Sequence, residues 1–335
     1  MKLTSLWSTF RASRNFKWVV LAAIVISGSL LLLLPFITSN TYVLHIMISI
    51  GLYSVLALSL NLVTGFAGQL SFCHIAFYGI GAYTGALLML RLNVSFWIAM
   101  FAGAFMAAIF GFLLGLPTLR LRGDYLAIVT LGFGEIVRLV FVNESWLTRG
   151  PLGLPGVPAP VLFGYRFSGR VPYYYLILVV FLITWFIMRR LTVSGIGLAM
   201  LSVKSDEIAA ESVGIRPVKY KLMAFVISAA IAGWVGTFYA SYIAFVSPDT
   251  FMYTDSITVL AMVILGGLGS LPGAVVGATV LTLIPELLRA INEYRMVLYG
   301  LLMIVMMIFR PDGFWGMRYR VKNAYKKTIR RVKDD

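Results

Sequence analysis

Long apolar segments recur from one end of this chain to the other, and that recurrence limits its fold more than any other feature. A hydrocarbon core of ~30 Å takes about 20 helical residues to cross, so the chain has room for about ten crossings plus loops. The segments fall at 18–38, 42–64, 75–90, 95–116, 125–142, 173–188, 222–242, 257–268, 274–288 and 296–309. Their apolar runs are continuous, whereas the strands of a membrane β-barrel alternate apolar with polar residues. Of the 335 residues 60% are apolar and 12% charged, against roughly 25% charged in an average soluble domain. The expected class is an all-α polytopic membrane protein with about ten transmembrane helices. A soluble enzyme, a disulfide scaffold and a disordered tail protein are excluded.

The net charge of +15 does not point to nucleic acid, because the charges sit at the ends of the apolar runs. With the N-terminus inside and the sides alternating, 21 of the 28 Lys and Arg residues fall in inner segments and 6 in outer ones, with Arg138 within a span. That split favours both termini in the cytoplasm. It divides the chain into an inner segment 1–17, a membrane body 18–309 and a basic inner tail 310–335. The first apolar run, Trp18 to Ile37, is too long for the core of a signal peptide, and no small-x-small site follows it. An uncleaved anchor is expected. The single cysteine, Cys73, and the two histidines, His45 and His74, give no metal-ligand spacing. No Walker loop, HExxH or GxSxG is present. The chain therefore carries no recognisable catalytic residues, metal site or cofactor site, and if it drives active transport the energy must come from an ion gradient or another protein.

Several polar segments interrupt the apolar pattern. In the inner loop 189–221, Ser205 suits a helix N-cap. Asp206 and Glu207 suit the first turn, Ala209, Ala210 and Glu211 continue it, and Gly214 suits the C′ position. A helix of about two turns is too short to stand alone. It is either a coupling helix that inserts into a soluble partner or a linker on the membrane surface. A second run, Leu60 to His74, carries Asn61, Thr64, Gln69, Ser71 and His74 among two glycines. It either borders a transport pathway or is a Gly-rich packing turn. A third stretch, with Gly266, Gly267, Gly269, Pro272 and Gly273, is a tight inner turn or a broken, re-entrant segment at membrane depth. Glu135 and Arg138, three apart, suit a self-neutralising ion pair. The outer loop 143–172, dense in Pro and Gly, either receives an outer partner or is a flexible spacer.

Three motifs are similar to those of a known family. LNLVTGFAGQLSFCHIAFYGIGAYT (60–84), DEIAAESVGI (206–215) with YKLMAFVISAAIAGWVG (220–236), and VILGGLGSLPGAVVGATVLTLIPELLR (263–289) resemble the signatures of branched-chain amino acid ABC transporter permeases of the LivM type. They stand in the family's order, and the likeness runs from about Ile50 to Asp312. Cys73 and Ala274 stand where a glycine and a proline are usual. The resemblance implies an ABC importer permease fold in a bacterial inner membrane, paired with a LivH-type permease. Two cytoplasmic ATPases, which bind the ATP, and a periplasmic binding protein complete such a complex. It also implies that the loop around Glu207 to Gly214 contacts an ATPase. Urea and short-amide permeases share much of the pattern and give the alternative substrate class. An ion-coupled secondary transporter would need an intramembrane carboxylate, and Glu135 is neutralised by Arg138. A membrane-embedded enzyme lacks any catalytic cluster.

Overall fold

The computed structural model describes residues 40–118, 121 and 123–287, with Pro35, Gly300 and Ile304 as single positions. Apolar runs with no polar stripe give helices able to bury all sides, and the first described one, α1 (Thr41–Asn61), runs on into a π-helical turn at Leu62–Phe66. It is followed by α2 (His74–Arg91), α3 (Phe96–Thr118), α4 (Asp124–Asn143) and a single turn, α5 (Ser145–Thr148). Next come α6 (Arg170–Val193), α7 (Gly195–Ser205), α8 (Glu207–Ser212), α9 (Pro217–Ile243), α10 (Tyr253–Gly266) and α11 (Leu271–Leu287). Eight of these helices lie on eight of the ten expected apolar segments. The first expected span, 18–38, and the last, 296–309, lie outside the described residues apart from those single positions, as do all of the inner segment 1–17 and all of the basic tail. Among the described residues five helices are long and apolar enough to cross a membrane: Thr41–Phe66, Phe96–Thr118, Asp124–Asn143, Arg170–Val193 and Pro217–Ile243. By contrast α10, with 14 residues, rises only about 21 Å.

From Ile46 onward the described residues belong to one compact unit. Its centre is α9, which packs against α2 and α3 at backbone contact distance. A Cβ placed on Gly81 would strike the backbone of Gly233, one on Gly233 would strike Ala107 and Gly103, and one on Gly236 would strike the Tyr78 carbonyl. Small residues let helices approach this closely where lipid supplies no hydrophobic drive. Thr237 sits at the same seam, and its hydroxyl donates to the Gly81 carbonyl at 2.9 Å. Tyr78, Tyr83, Phe141, Tyr239 and Phe251 fill the space beyond as an aromatic cluster of tilted and edge-on ring pairs.

The connections sort into two ends. At one, the loop 143–172 is built rather than featureless. β1 (Leu154–Pro155) pairs with β4 (Phe245–Val246), and β2 (Val161–Leu162) pairs with β3 (Tyr165–Arg166). Ser241 donates to the Pro158 carbonyl at 2.8 Å, Trp97 Nε1 to the Val161 carbonyl at 3.0 Å, and Arg91 to the carbonyls of Trp146 and Leu147. These contacts join only segments that the charge count places outside. At the other end the bonds of Asn61 to the glycine break and of Lys204 to Gly65 join segments that it places inside, while Ser256, which it places at the outer end of its span, also reaches the turn at Ile75. The stretch 189–221, expected as a loop, is mostly helical: α6 runs through Arg189 and Arg190, whose charges suit a helix C-terminus.

Candidate functional site

The polar run that follows α1 is held in an irregular shape. Its π-helical turn is closed by the Ala67 N–H on the Leu62 carbonyl at 3.0 Å. Such widened turns gather at functional sites. Gly68, at φ +71°, then turns the chain away, and the Gln69 N–H reaches back to the Val63 carbonyl at 3.0 Å.

Asn61 is fully buried. Its Oδ1 accepts from the Gly269 N–H at 2.8 Å, and its Nδ2 donates to the Ser270 carbonyl at 3.1 Å. One amide thus clamps the Gly-rich break between α10 and α11 to the end of α1. The fit leaves no room beside it: a Cβ on Gly65 would strike Asn61 Oδ1 and the Gly269 backbone. The break itself is a tight turn, with Gly267 at φ +108° and Gly269 at φ +79°, ahead of Pro272 in the first turn of α11. Gly266 and Gly273 meet across it backbone to backbone. Two motifs far apart in sequence therefore form one junction.

The remaining candidates divide. His74 is buried, with Nε2 at 2.8 Å from Ser59 Oγ. Ser59 Oγ also lies 2.9 Å from the Leu56 carbonyl, so its single proton goes there or to the histidine according to the imidazole tautomer. The Ser59 carbonyl in turn accepts from Ser228 at 2.8 Å. Ser71 Oγ lies 3.2 Å from the buried Cys73 thiol. The backbone N–H groups of Phe72 and Ile75 are taken up by Thr130 at 3.1 Å and Ser256 at 3.2 Å. Thr64 Oγ1 and Gln69 Oε1 are different: both are buried, and neither has a hydrogen-bond partner in the described protein. Leaving such a group unsatisfied costs about 1–3 kcal/mol. Two hydrogen-bonding groups of this turn are thus unused by the fold.

The inner loop supplies the second part of the site. Asp206, not Ser205, caps α8: its Oδ1 accepts from the N–H groups of Ile208 and Ala209 at 3.0 Å each. Ser205 instead closes α7 and donates back to the Leu201 carbonyl at 2.9 Å. This corrects the expected cap by one residue. A carboxylate makes the stronger, charge-assisted cap at the positive end of a helix. The helix has six residues, 207–212, close to the two turns expected. Gly214 does stand at C′, at φ +84°. The Ile215 N–H bonds the Ala210 carbonyl and the Gly214 N–H bonds the Glu211 carbonyl, the paired bonds of a Schellman stop. Ala210 is buried against the body, and Glu207 pairs with Lys221 of α9 at 2.8 Å. Ile208 and Val213, 71% and 75% exposed, point away from it, and Ala209 is exposed beside them.

Sequence reasoning missed Ser59, Thr130, Ser228 and Ser256, single polar residues in apolar helices, which is the one signal they gave. It also missed Lys204, whose Nζ donates to the Gly65 carbonyl inside the π turn at 2.7 Å. Burial around that ammonium lowers its pKa. Glu135 and Arg138 form the expected ion pair, two-pronged, on one face of α4.

A family model described as branched-chain amino acid transport system / permease component matches residues 42–307. The chain is 43% identical over 302 residues to the high-affinity branched-chain amino acid transport system permease protein LivM of Escherichia coli (strain K12), covering 82% of this chain and 71% of that protein. It is 43% identical over 289 residues to LivM of Salmonella typhimurium, covering 79% and 68%. The permease protein LivH of Salmonella typhimurium is 25% identical over 287 residues, covering 79% of this chain and 91% of that protein. No solved structure matches. A chain with this spread of apolar helices, matched across most of its length, belongs to the family of branched-chain amino acid transport system permease components.

Proposed function

We propose that this chain is one of two homologous permease subunits of an ATP-driven importer for leucine, isoleucine and valine in a bacterial inner membrane. The observation that carries the reading is the 43% identity to LivM permeases over most of the chain. A LivH-type permease is the paired subunit, supported by the similarity of LivH proteins to this chain. Two cytoplasmic ATPases bind the ATP, and a periplasmic binding protein delivers the substrate. This chain itself is a transport subunit, not an enzyme.

Within that assembly, α8 docks on an ATPase. The support is its shape: a capped six-residue helix, anchored by Ala210 and by Glu207 on Lys221, with Ile208, Ala209 and Val213 left outside. The turn 61–74 borders the route of the substrate. Thr64 and Gln69 offer it hydrogen bonds, while Asn61, Ser71 and His74 hold the turn in shape. A zwitterion needs polar groups along its route without a fixed charge that would retain it. The membrane body has ten spans with both termini in the cytoplasm, and the short α10 with its glycine turn is the broken span among them.

Uptake of labelled leucine, urea and acetamide by the whole complex in liposomes tests the reading. ATP-dependent leucine uptake that needs the binding protein is expected. Preferential uptake of urea or acetamide would replace the substrate class, and uptake by this chain alone on an ion gradient would replace the mechanism.

A further inference from the structure

We infer that Lys204 is a strut that carries movement of the docking helix α8 into the turn 61–74, a positioning role that rests on the coupling proposed above. Lys204 stands in the last turn of α7, two residues before Asp206, the cap of α8. The backbone between them is continuous, with the Asp206 N–H on the Ser202 carbonyl at 3.0 Å. From there the side chain leaves α7 and ends 2.7 Å from the Gly65 carbonyl. Its stem lies directly on Gly68, where an added Cβ would meet Lys204 Cγ at 2.7 Å and Cβ at 3.1 Å. The same side chain therefore touches the turn on both sides of Phe66.

The receiving end is as tightly built. Gly65 abuts Gly269 and Asn61, and Asn61 holds Gly269 and Ser270. Thr64, whose hydroxyl the fold does not use, is the neighbouring residue. A shift of Lys204 thus reaches both the pathway turn and the glycine break with no slack contact between. Capping the negative end of α1 explains why a cation sits here. It does not explain why the cation comes from the segment that leads into the docking helix. Nor does the lysine gain from being there by solvation: the residue as a whole stays exposed, and the partial burial at its ammonium lowers its pKa. The pair Glu207–Lys221 ties the start of α8 to α9, so α8 has one tether to the core and one to the turn.

The test uses the whole transporter in liposomes, with uptake of labelled leucine and ATP hydrolysis measured together. Lys204→Met keeps a stem over Gly68 and removes the ammonium. Loss of one charge-assisted hydrogen bond is expected to lower leucine moved per ATP about tenfold, with hydrolysis within about twofold of wild type. Lys204→Arg, which keeps a cation, should restore about half of the ratio or more. An unchanged ratio in Lys204→Met overturns the strut. So does a parallel fall of uptake and hydrolysis, or failure of both variants to assemble, since each makes Lys204 a packing residue only. A wild-type complex without ATP-driven leucine uptake refutes the proposed function itself. A wild-type complex with it, alongside an unchanged Lys204→Met, refutes the strut alone.

Discussion

Asn61→Ala removes the amide that bridges the Gly269 N–H and the Ser270 carbonyl. Hydrogen bonds between membrane helices average ~0.6 kcal/mol by double-mutant cycles, with a ceiling near ~1.7. That alone would make the change minor. The larger effect is on the groups left behind, because a buried donor or acceptor without a partner costs about 1–3 kcal/mol. Gly266 and Gly273 already touch backbone to backbone beside them, so the glycine turn has little room to find new partners. One orphaned N–H and one orphaned carbonyl, partly relaxed, bring the expected loss to about 3 kcal/mol. For a chain of 335 residues that corresponds to about 4 °C in the unfolding midpoint. Asn61→Asp separates the two bonds: it keeps the acceptor for Gly269 but turns a second carboxylate oxygen toward the Ser270 carbonyl, so it should be at least as damaging. The assay is thermal unfolding of the detergent-purified protein followed by tryptophan fluorescence. A midpoint for Asn61→Ala within about 1 °C of wild type would show that the clamp contributes nothing beyond an average membrane hydrogen bond.

Glycine substitutions should sort by the space around them. Gly236→Ala drives a methyl into the Tyr78 carbonyl and should lose about 1–3 kcal/mol or fail to fold, whereas Gly132→Ala, with nothing within 4 Å, should be neutral or gain up to about 1 kcal/mol, both read from the same midpoints. Ala209→Asp places a carboxylate on the exposed face of α8 in its first turn, where the helix dipole accepts it. Expression should therefore survive while coupled ATP hydrolysis falls about tenfold or more, because the charge is buried unpaired in the docked complex; unchanged coupled hydrolysis would remove α8 from the interface. For topology, a cysteine at Ser168 should react with an impermeant reagent applied from outside and one at Lys326 should not, and the reverse pattern would invert the orientation read from the charges.

Most of the helical framework was legible because each apolar run is long enough to declare itself without help from neighbours. The boundaries moved where a helix runs past its apolar stretch into charged residues, as at Arg170 and at Arg189–Arg190. Gly214 was legible because only its left-handed backbone suits that stop. The cap was misplaced by one residue because Ser205 and Asp206 both fit the pattern, and the contest was decided by how far α7 continues. The junction was not legible. Asn61 could be read as polar and unusual, but its partners lie beyond Gly266, and nothing in the intervening sequence encodes that contact locally. Lys204 counted only as one positive charge among many, since its role depends on the Gly65 carbonyl being free in a turn whose π geometry no periodicity announces.

The central claim is that the turn 61–74 borders a route whose exposure is driven by ATP. Cysteine placed at Thr64 and at Gln69, one at a time in a Cys73→Ala background, tests it in the assembled complex. Both side chains are buried in this chain, and both carry a polar atom without a partner. A small water-soluble thiol reagent should modify each cysteine at a rate that changes about tenfold or more when ATP is trapped in the complex, as expected when two states differ in exposure by a population shift of that size. If both cysteines stay unreactive in every state, the turn is packing alone and the substrate passes elsewhere.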